Sequence, residues 1–426
     1  MAPDNSFTAR QFATEPVATL RQYVLSDDLL HHGSVMAVAT AASGALNYAY
    51  QVFMGRALGP EQYGVFGALF ALFYLVNVLG RGIRFSATRF SAELSEDTAA
   101  LSAFHRGFLR KSLVFSCVVF VVLALSTPLL GDFLGVSTPL LLIAIAGTAP
   151  FGLALTANFG TFQGLQWFPT LGGYKVLLAG VKLAFGVGLV TLGYGVSGAF
   201  GALVISSVLL FGLSTAHVFR NLGNERTSFE FEYSRAYTYT LPAVLAGFCL
   251  TVPTTVDVIL VKHFFPSHTA GLYAAASVLG KILIFLPMGI STALFPKVSG
   301  HRTTDERRSL LTRALFYTAV IAGAGAALFA LFPHFVLTAF YGMPYADAAA
   351  VLPWYGIAVF AFALSSVTLN FQLALDQNRF VYLFTAGSFL EIALMWAFHG
   401  SLLQFVQILF VVNVGLFALG LFEVYS

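Results

Sequence analysis

The sequence predicts an all-α membrane protein in which about twelve transmembrane helices form two parallel six-helix repeats around a central cavity. Three observations lead to this fold class. Of the 426 residues, 58% are hydrophobic and only 10% are charged. The apolar stretches are about 20 residues long, the length that a helix needs to cross a bilayer. A shift of 207 residues aligns the two halves of the chain.

The twelve predicted spans are separated by polar segments that contain proline and glycine, as in ALGPEQYG, FFPSHTAG and FYGMPYAD. Strands of a membrane barrel would alternate polar and apolar residues, and continuous runs such as SLVFSCVVFVVLALSTPLL do not. Residues 1–32 are polar and mixed, which predicts a cytoplasmic N-terminal segment without a cleavable signal peptide. In order, the spans are expected at 34–55, 63–83, 112–130, 139–162, 171–192, 196–219, 238–262, 270–295, 311–332, 347–374, 380–398 and 401–422.

Basic residues predict the orientation of these spans. With the N-terminus in the cytoplasm, 18 of the 22 Lys and Arg residues fall in cytoplasmic segments, and only Arg56 and Lys262 fall outside. Six of the 18 lie between Arg81 and Lys111, in a loop expected after the second span. Because Lys and Arg concentrate on the cytoplasmic side, we expect a multi-pass protein of the cell (cytoplasmic) membrane with both termini cytoplasmic.

The internal repeat predicts the domain organisation. YGVFGALFALFYLVNVLGRGI aligns with AGLYAAASVLGKILIFLPMGI, so Gly64 falls on Gly271 and Gly82 on Gly289. Six spans separate the copies, and an even number gives both halves the same orientation. We therefore expect an N-terminal lobe at 33–219, a cytoplasmic linker at 220–237 and a C-terminal lobe at 238–426, with substrate bound between the lobes.

Two segments resemble a known family. GRALGPEQYGVFGALFALFYLVNVLGRGI and VDVILVKHFFPSHTAGLYAAASVLGKILIFLPMGISTALFPKVS resemble the polysaccharide-type flippases of the multidrug/oligosaccharidyl-lipid/polysaccharide exporter superfamily. The resemblance implies a secondary transporter that moves polyprenyl-pyrophosphate-linked oligosaccharide, such as O-antigen or exopolysaccharide units, across the cytoplasmic membrane. Many members have fourteen helices, whereas this chain is expected to have twelve.

Two lysines within predicted spans are the first candidate substrate contacts. Lys281 lies near the middle of span 270–295, and Lys182 lies in span 171–192. An ammonium at the bilayer centre costs about 2.5–3.5 kcal/mol, so it is expected to face a partner or a wet cavity. The pyrophosphate of the implied cargo is one such partner. An ion pair with Asp257 or Glu391 is the alternative for both lysines.

Polar residues on the first two spans add further candidates. Asn77, Arg81 and Arg84 share one helical face with Tyr74, and an arginine fork suits a phosphate. Contact with anionic lipid headgroups is the alternative for the two arginines. Asn47 and Gln51 share a face of the first span, where packing between helices is the alternative to cargo binding.

Asp257 and Glu391 are the carboxylates expected within the membrane. Such groups usually face the interior or a cavity. Asp257 is a candidate to carry a coupling proton or sodium ion. Glu391 is a second ion-coupling candidate, with a neutral, hydrogen-bonded helix contact as its alternative.

Other function classes find less support in the sequence. ASVLGKIL lacks the leading Gly and the Ser or Thr of a phosphate-binding loop, and no metal-ligand cluster or cofactor motif is evident. A glycan polymerase or ligase would need a reactive outer loop, and the longest one expected, 333–346, has no carboxylate. Efflux of organic drug cations on the same scaffold would favour carboxylates over lysines. We expect no enzyme activity and no nucleic-acid partner; the expected partners are lipid-linked oligosaccharide, membrane lipids and glycan polymerase or export machinery.

Overall fold

The computed structural model describes residues 28–223, 251–299, 303–375 and 379–425, together with single residues between 231 and 248. The predicted N-terminal segment up to residue 27, most of the predicted linker and the first part of span 238–262 lie outside the described residues. The helices are α1 (Asp28–Glu93), α2 (Thr98–Leu125), α3 (Thr127–Leu134), α4 (Pro139–Ala146), α5 (Ala149–Gly164), α6 (Phe168–Leu189), α7 (Gly195–Leu222), α8 (Val256–Phe264), α9 (Ser267–Ser299), α10 (Thr304–Leu331), α11 (Pro333–Tyr341), α12 (Leu352–Ala374), α13 (Arg379–Ala397) and α14 (Leu402–Tyr425).

The predicted all-α membrane architecture is confirmed. Among the described residues, seven helices are long and apolar enough to cross a membrane. Two of these stretches, Gly33–Glu93 within α1 and Phe168–Leu222 through α6 and α7, have 61 and 55 residues and are each long enough to cross twice. A π-helical segment, Val190–Tyr194, joins α6 to α7, and 3-10 turns precede α8 (Val252–Thr254) and α12 (Met343–Ala350).

Helix α1 is two membrane-length arms joined at a break. Gly59 adopts φ 70° and ψ 169°, a conformation that favours glycine, and Pro60 begins the second arm with a fixed φ and no N–H to satisfy. We call the arms α1a (28–58) and α1b (60–93). The break falls in the ALGPEQYG segment that the sequence marks as a turn.

Two predicted loops are helical, and those expectations are wrong. The basic stretch after the second span is expected as a loop up to residue 111, but α1b runs to Glu93 and α2 begins at Thr98, capped by the Asp97 side chain. The expected loop 333–346 contains α11 and a 3-10 turn, with proline in the first turn of each. Charged helix ends and loops are both solvated, so composition alone does not separate them.

One end of the bundle is closed by contacts between the repeats. Arg56 donates from Nε to the Phe340 carbonyl over 2.6 Å, and the Tyr345 hydroxyl donates to the Gly55 carbonyl over 2.7 Å. Tyr63 packs beside these groups, with its ring tilted against that of Tyr341 and edge-on to that of Tyr345. We call this end, which includes the α1 break, the sealed end; the opposite end, with the turn at 94–97, is the basic end.

A second set of contacts closes the same end. Lys262 donates from Nζ to the Leu134 carbonyl over 2.6 Å. His263 Nδ1 lies 2.7 Å from the Phe133 carbonyl, and the two rings stack with centroids 4.1 Å apart. Arg56 and Lys262 therefore both bind backbone carbonyls of the opposite repeat. They are the two basic residues that the charge count places on the outer side of the membrane.

The two sets of contacts are related by the internal repeat. The 207-residue shift carries Arg56 onto His263 and Phe340 onto Phe133, so each repeat binds the other in the equivalent place. The aligned glycines also meet at this interface. A Cβ built on Gly64 would collide with the Ser267 carbonyl. Two equivalent clamps of this kind are what a parallel repeat predicts, because its halves are related by rotation about the membrane normal.

Candidate functional site

The polar face of α1b lies between the two repeats. Gly80 approaches Thr156 of the first repeat, and Gly82 approaches Val244 of the second. Ile83 lies on the opposite face and is buried against α2 and α5. The stripe predicted from the sequence lies between the two glycine contacts: Tyr74 and Arg81 are exposed, and Asn77 and Arg84 are partly buried.

The arginines of this stripe are not paired with a carboxylate among the described residues. Arg84 donates from Nε and Nη2 to the Gln163 side-chain oxygen of α5, over 3.0 and 2.6 Å. Lys175 on α6 lies close enough to Arg84 for their charges to repel. In the described part of the chain, neither Arg81 nor Lys175 forms an ion pair with a carboxylate. The Asn77 side chain is held against its own helix, because its amide donates to the Phe73 carbonyl one turn earlier over 2.8 Å.

Lys182 sits in an aromatic and amide pocket of the first repeat. Its ammonium donates to the Asn47 side-chain oxygen and lies 4.7 Å from the centre of the Tyr50 ring and 5.9 Å from that of Phe70. The residue is 8% exposed. The structure thus brings together two predicted site residues, while Gln51, one turn beyond Asn47, is partly buried and contributes no hydrogen bond to this pocket.

Lys281 lies on an interior face of α9. Tyr273, Ser277 and Lys281 follow at intervals of four residues, so they share one side of the helix. Lys281 is partly buried, and the charge of Asp257 attracts it without a direct ion pair between them. The distance along α9 from Tyr273 to Lys281 is about 12 Å at 1.5 Å per residue. The ion pair with Asp257, which is the alternative for this lysine in the sequence analysis, does not form, and the attraction acts at longer range.

Asp257 is the centre of a buried hydroxyl network in the second repeat. Its Oδ2 accepts hydrogen bonds from Tyr273 over 3.1 Å and from Tyr355 over 2.9 Å. The Tyr355 hydroxyl lies 2.9 Å from that of Ser277. Asp257 is 1% exposed, and its Oδ1 has no hydrogen-bond partner among the described atoms. One oxygen of the carboxylate is therefore left for a ligand that carries positive charge or donates a proton.

Glu391 of α13 is the second buried carboxylate of this region. It is 2% exposed, and Asn413 of α14 donates to its Oε2 over 3.5 Å. Its charge and that of Asp257 are close enough to repel. Among the residues that the structure describes, no three His, Cys, Asp or Glu side chains come together as a metal site. Two carboxylates and several hydroxyls suit a proton or a single monovalent cation instead.

The partners of these residues were not predicted from the sequence. Tyr273 and Ser277 could have been found from their four-residue spacing before Lys281. Gln163, Tyr355 and Asn413 give no such signal, because they reach their partners from helices distant in sequence. Lys175 lies in a segment predicted to be cytoplasmic, and its spacing gives no signal that it approaches Arg84.

Comparison with known proteins gives the family. The family model described as polysaccharide biosynthesis protein matches residues 29–300. An uncharacterized protein of Mycobacterium tuberculosis is 25% identical over 356 residues, which is 82% of this chain and 81% of that protein. Among solved structures, the inward-facing conformation of a multidrug resistance MATE family transporter of the MOP superfamily superposes with a TM-score of 0.77 at 16% identity, covering 89% of this chain and 94% of that one.

A second solved structure shares the fold. The inward closed conformation of the lipid II flippase MurJ has a TM-score of 0.71 at 17% identity, covering 92% of this chain and 87% of that one. At these identities the superpositions show a common two-repeat helical transporter fold. The sequence match extends over more than half of the chain. The chain therefore belongs to the polysaccharide biosynthesis protein family.

Proposed function

We propose that this transporter flips polyprenyl-pyrophosphate-linked oligosaccharide from the cytoplasmic to the outer leaflet of the cell membrane. The observation that carries the proposal is the set of inward cations without a directly paired carboxylate in the described structure, namely Arg81, Arg84, Lys182 and Lys281. A cation within a bundle is costly unless it faces a water-filled cavity or a partner, and cations in such a cavity attract a mobile anion. A pyrophosphate that enters and leaves is such an anion.

The cargo has three chemically different parts: a polyprenyl tail, a pyrophosphate and a hydroxyl-rich glycan. The tail can stay in the lipid, and the other two parts need a polar path. Passing the bare head group through hydrocarbon costs about 2–7 kcal/mol for each unpaired polar group. Arg81 and Arg84 lie near the basic end, so they would meet the pyrophosphate first. Lys281 and Lys182 lie deeper and would neutralise it during passage, while Asn77, Asn47 and Gln51 are candidate contacts for hydroxyl groups.

The orientation follows from the positions of the cations. If the basic end faces the cytoplasm, the concentration of Lys and Arg there agrees with the general charge bias of membrane proteins. Both termini would then be cytoplasmic, and the sealed end would face outward. The predicted lobes, 33–219 and 238–426, would rock so that each end opens in turn, and the clamps would break when the sealed end opens.

Asp257 and Glu391 are proposed to couple transport to a proton or sodium gradient. A bound cation would give the unpartnered Oδ1 of Asp257 a ligand. It would also weaken the repulsion between the charges of Asp257 and Glu391. Without such coupling or consumption of the product outside, a flippase only equilibrates the two leaflets. Glycan polymerase or export machinery of the same membrane would supply that consumption.

Efflux of organic cations is the second candidate function. The same two carboxylates favour it, because a drug cation could replace the coupling ion. The two cargoes interact with opposite charges in the path. Lys281 attracts a pyrophosphate and repels an organic cation, and Asp257 does the reverse.

Charge reversal at Lys281 tests the proposal. In cells that depend on this chain for surface glycan, we expect Lys281→Glu to accumulate lipid-linked oligosaccharide on the inner leaflet, while Lys281→Arg restores export. Arg110→Glu, an exposed change on α2, is the control for altered charge. Normal export by Lys281→Glu at normal protein levels would remove Lys281 from the mechanism, and improved efflux of organic cations would support the second candidate.

A further inference from the structure

An apolar groove runs between α1a and α6 near the basic end. It has a volume of about 650 Å³. Apart from Ser34, its lining consists of aliphatic side chains and glycine backbone, including Val35, Val38, Ala42 and Leu177. Val38 is 70% exposed, so the groove is open along one side rather than enclosed.

Two neighbouring glycines shape this groove. Gly172 lies against Ala39, and a Cβ built there would come within 2.7 Å of the Ala39 Cβ, so the helices meet closely at the floor. A Cβ on Gly173 would meet nothing within 4 Å. One glycine therefore lets the helices approach, and the other leaves space that a larger side chain would fill.

A pair of cations lies beside the groove. Lys175 is in the same turn of α6 as Gly172 and Gly173, and it is partly buried. It lies close to Arg84, which is held by the neutral amide of Gln163. Two like charges near enough to repel, without a carboxylate paired to either in the described structure, favour an anion with more than one negative charge.

We infer that the groove between α1a and α6 holds the first isoprene units of the polyprenyl tail while Lys175 and Arg84 bind the pyrophosphate attached to it. This inference rests on the proposed function. A pyrophosphate matches two adjacent cations better than the single phosphate of a membrane phospholipid. The tail leaves one apolar surrounding for another, so the groove contributes position more than affinity. It is a side entrance where the cargo enters from the lipid.

Photo-crosslinking tests this site in the full chain reconstituted in phospholipid vesicles. The probe is a polyprenyl pyrophosphate with a diazirine on the isoprene unit next to the phosphates. We expect crosslinks within 34–42 and 172–177, and at least a fivefold lower yield there for Gly173→Leu, which fills the groove. Gly188→Leu is the matched control, because it lies on the same helix and its added Cβ also meets nothing within 4 Å.

The lysine and the lipid source are tested with the same probe. Lys175→Gln should lower the yield at least fivefold, and Lys175→Arg should restore it. Equal competition by phosphatidylglycerol and by unlabelled polyprenyl pyrophosphate would show an ordinary lipid contact and overturn the inference, as would unchanged labelling of Gly173→Leu. Labelling as expected in a protein that does not flip the complete cargo would leave the groove site intact and refute the proposed function instead.

Discussion

The clamps at the sealed end make a quantitative prediction about the conformational equilibrium. Arg56 donates to the Phe340 carbonyl over 2.6 Å and to the Ala339 carbonyl over 2.5 Å. A hydrogen bond from a charged donor contributes about 1.5–3 kcal/mol. A glutamine at this position can keep one of the two. Because the side chain is exposed, we take the lower figure, and Arg56→Gln should favour opening by about 1.5 kcal/mol, roughly tenfold in the equilibrium constant.

Distances between spin labels measure this shift. Labels at Ala57 and Met343, both exposed and close to the clamp, would report opening after the native cysteines are replaced. We expect the ratio of long to short distances to rise about tenfold in Arg56→Gln. Arg220→Gln, at the basic end, should leave it unchanged.

The second clamp provides an independent check of the same reasoning. Lys262→Met removes the bond to the Leu134 carbonyl, and it should add to the effect of Arg56→Gln because the two clamps bind separate segments. If the fraction of long distances in the double variant is no larger than in the wild-type protein, these contacts do not hold the sealed end closed.

Two further predictions concern packing and coupling. Gly271→Ala should destabilise the protein by about 1–3 kcal/mol and lower its melting temperature in detergent, because the added Cβ meets the Pro60 backbone. Gly44→Ala is the control, since an added Cβ there meets nothing within 4 Å. Equal melting temperatures for the two variants would contradict the close helix crossing. Asp257→Asn should abolish the response of flipping in vesicles to an imposed proton or sodium gradient while passive exchange continues. Asp132→Asn, on the exposed side of α3, should retain the response. Full gradient dependence of flipping by Asp257→Asn would exclude this carboxylate from coupling.

The apolar spans and the repeat were predictable from sequence because both are local or periodic signals. The break at Gly59 was visible for the same reason, since glycine followed by proline restricts the backbone directly. The repeat shift even placed Gly64 on Gly271, and the structure packs the two helices together at these glycines. A residue without a side chain is needed wherever two helix backbones cross so closely.

The partners within the site were less predictable. Asn413 meets Glu391, and Tyr355 meets Asp257, through packing between helices that sequence spacing does not encode. Arg56 could be recognised as an exception to the charge bias but not as a clamp, because its acceptors are backbone carbonyls, which every residue carries. Helix α11 was missed because its nine residues are too few to cross a bilayer, and the proline and glycine beside them are typical of a loop.

Flipping of a defined cargo by the purified chain is the most direct test of the proposed function. Vesicles would contain undecaprenyl-pyrophosphate-linked oligosaccharide with a fluorophore on the sugar, and a membrane-impermeant quencher would report the outer-leaflet fraction. We expect the wild-type chain to make the inner-leaflet pool accessible and Lys281→Glu to leave it protected, as in protein-free vesicles. A wild-type chain that leaves the pool protected, in vesicles where it transports organic cations, would contradict lipid-linked glycan as the cargo.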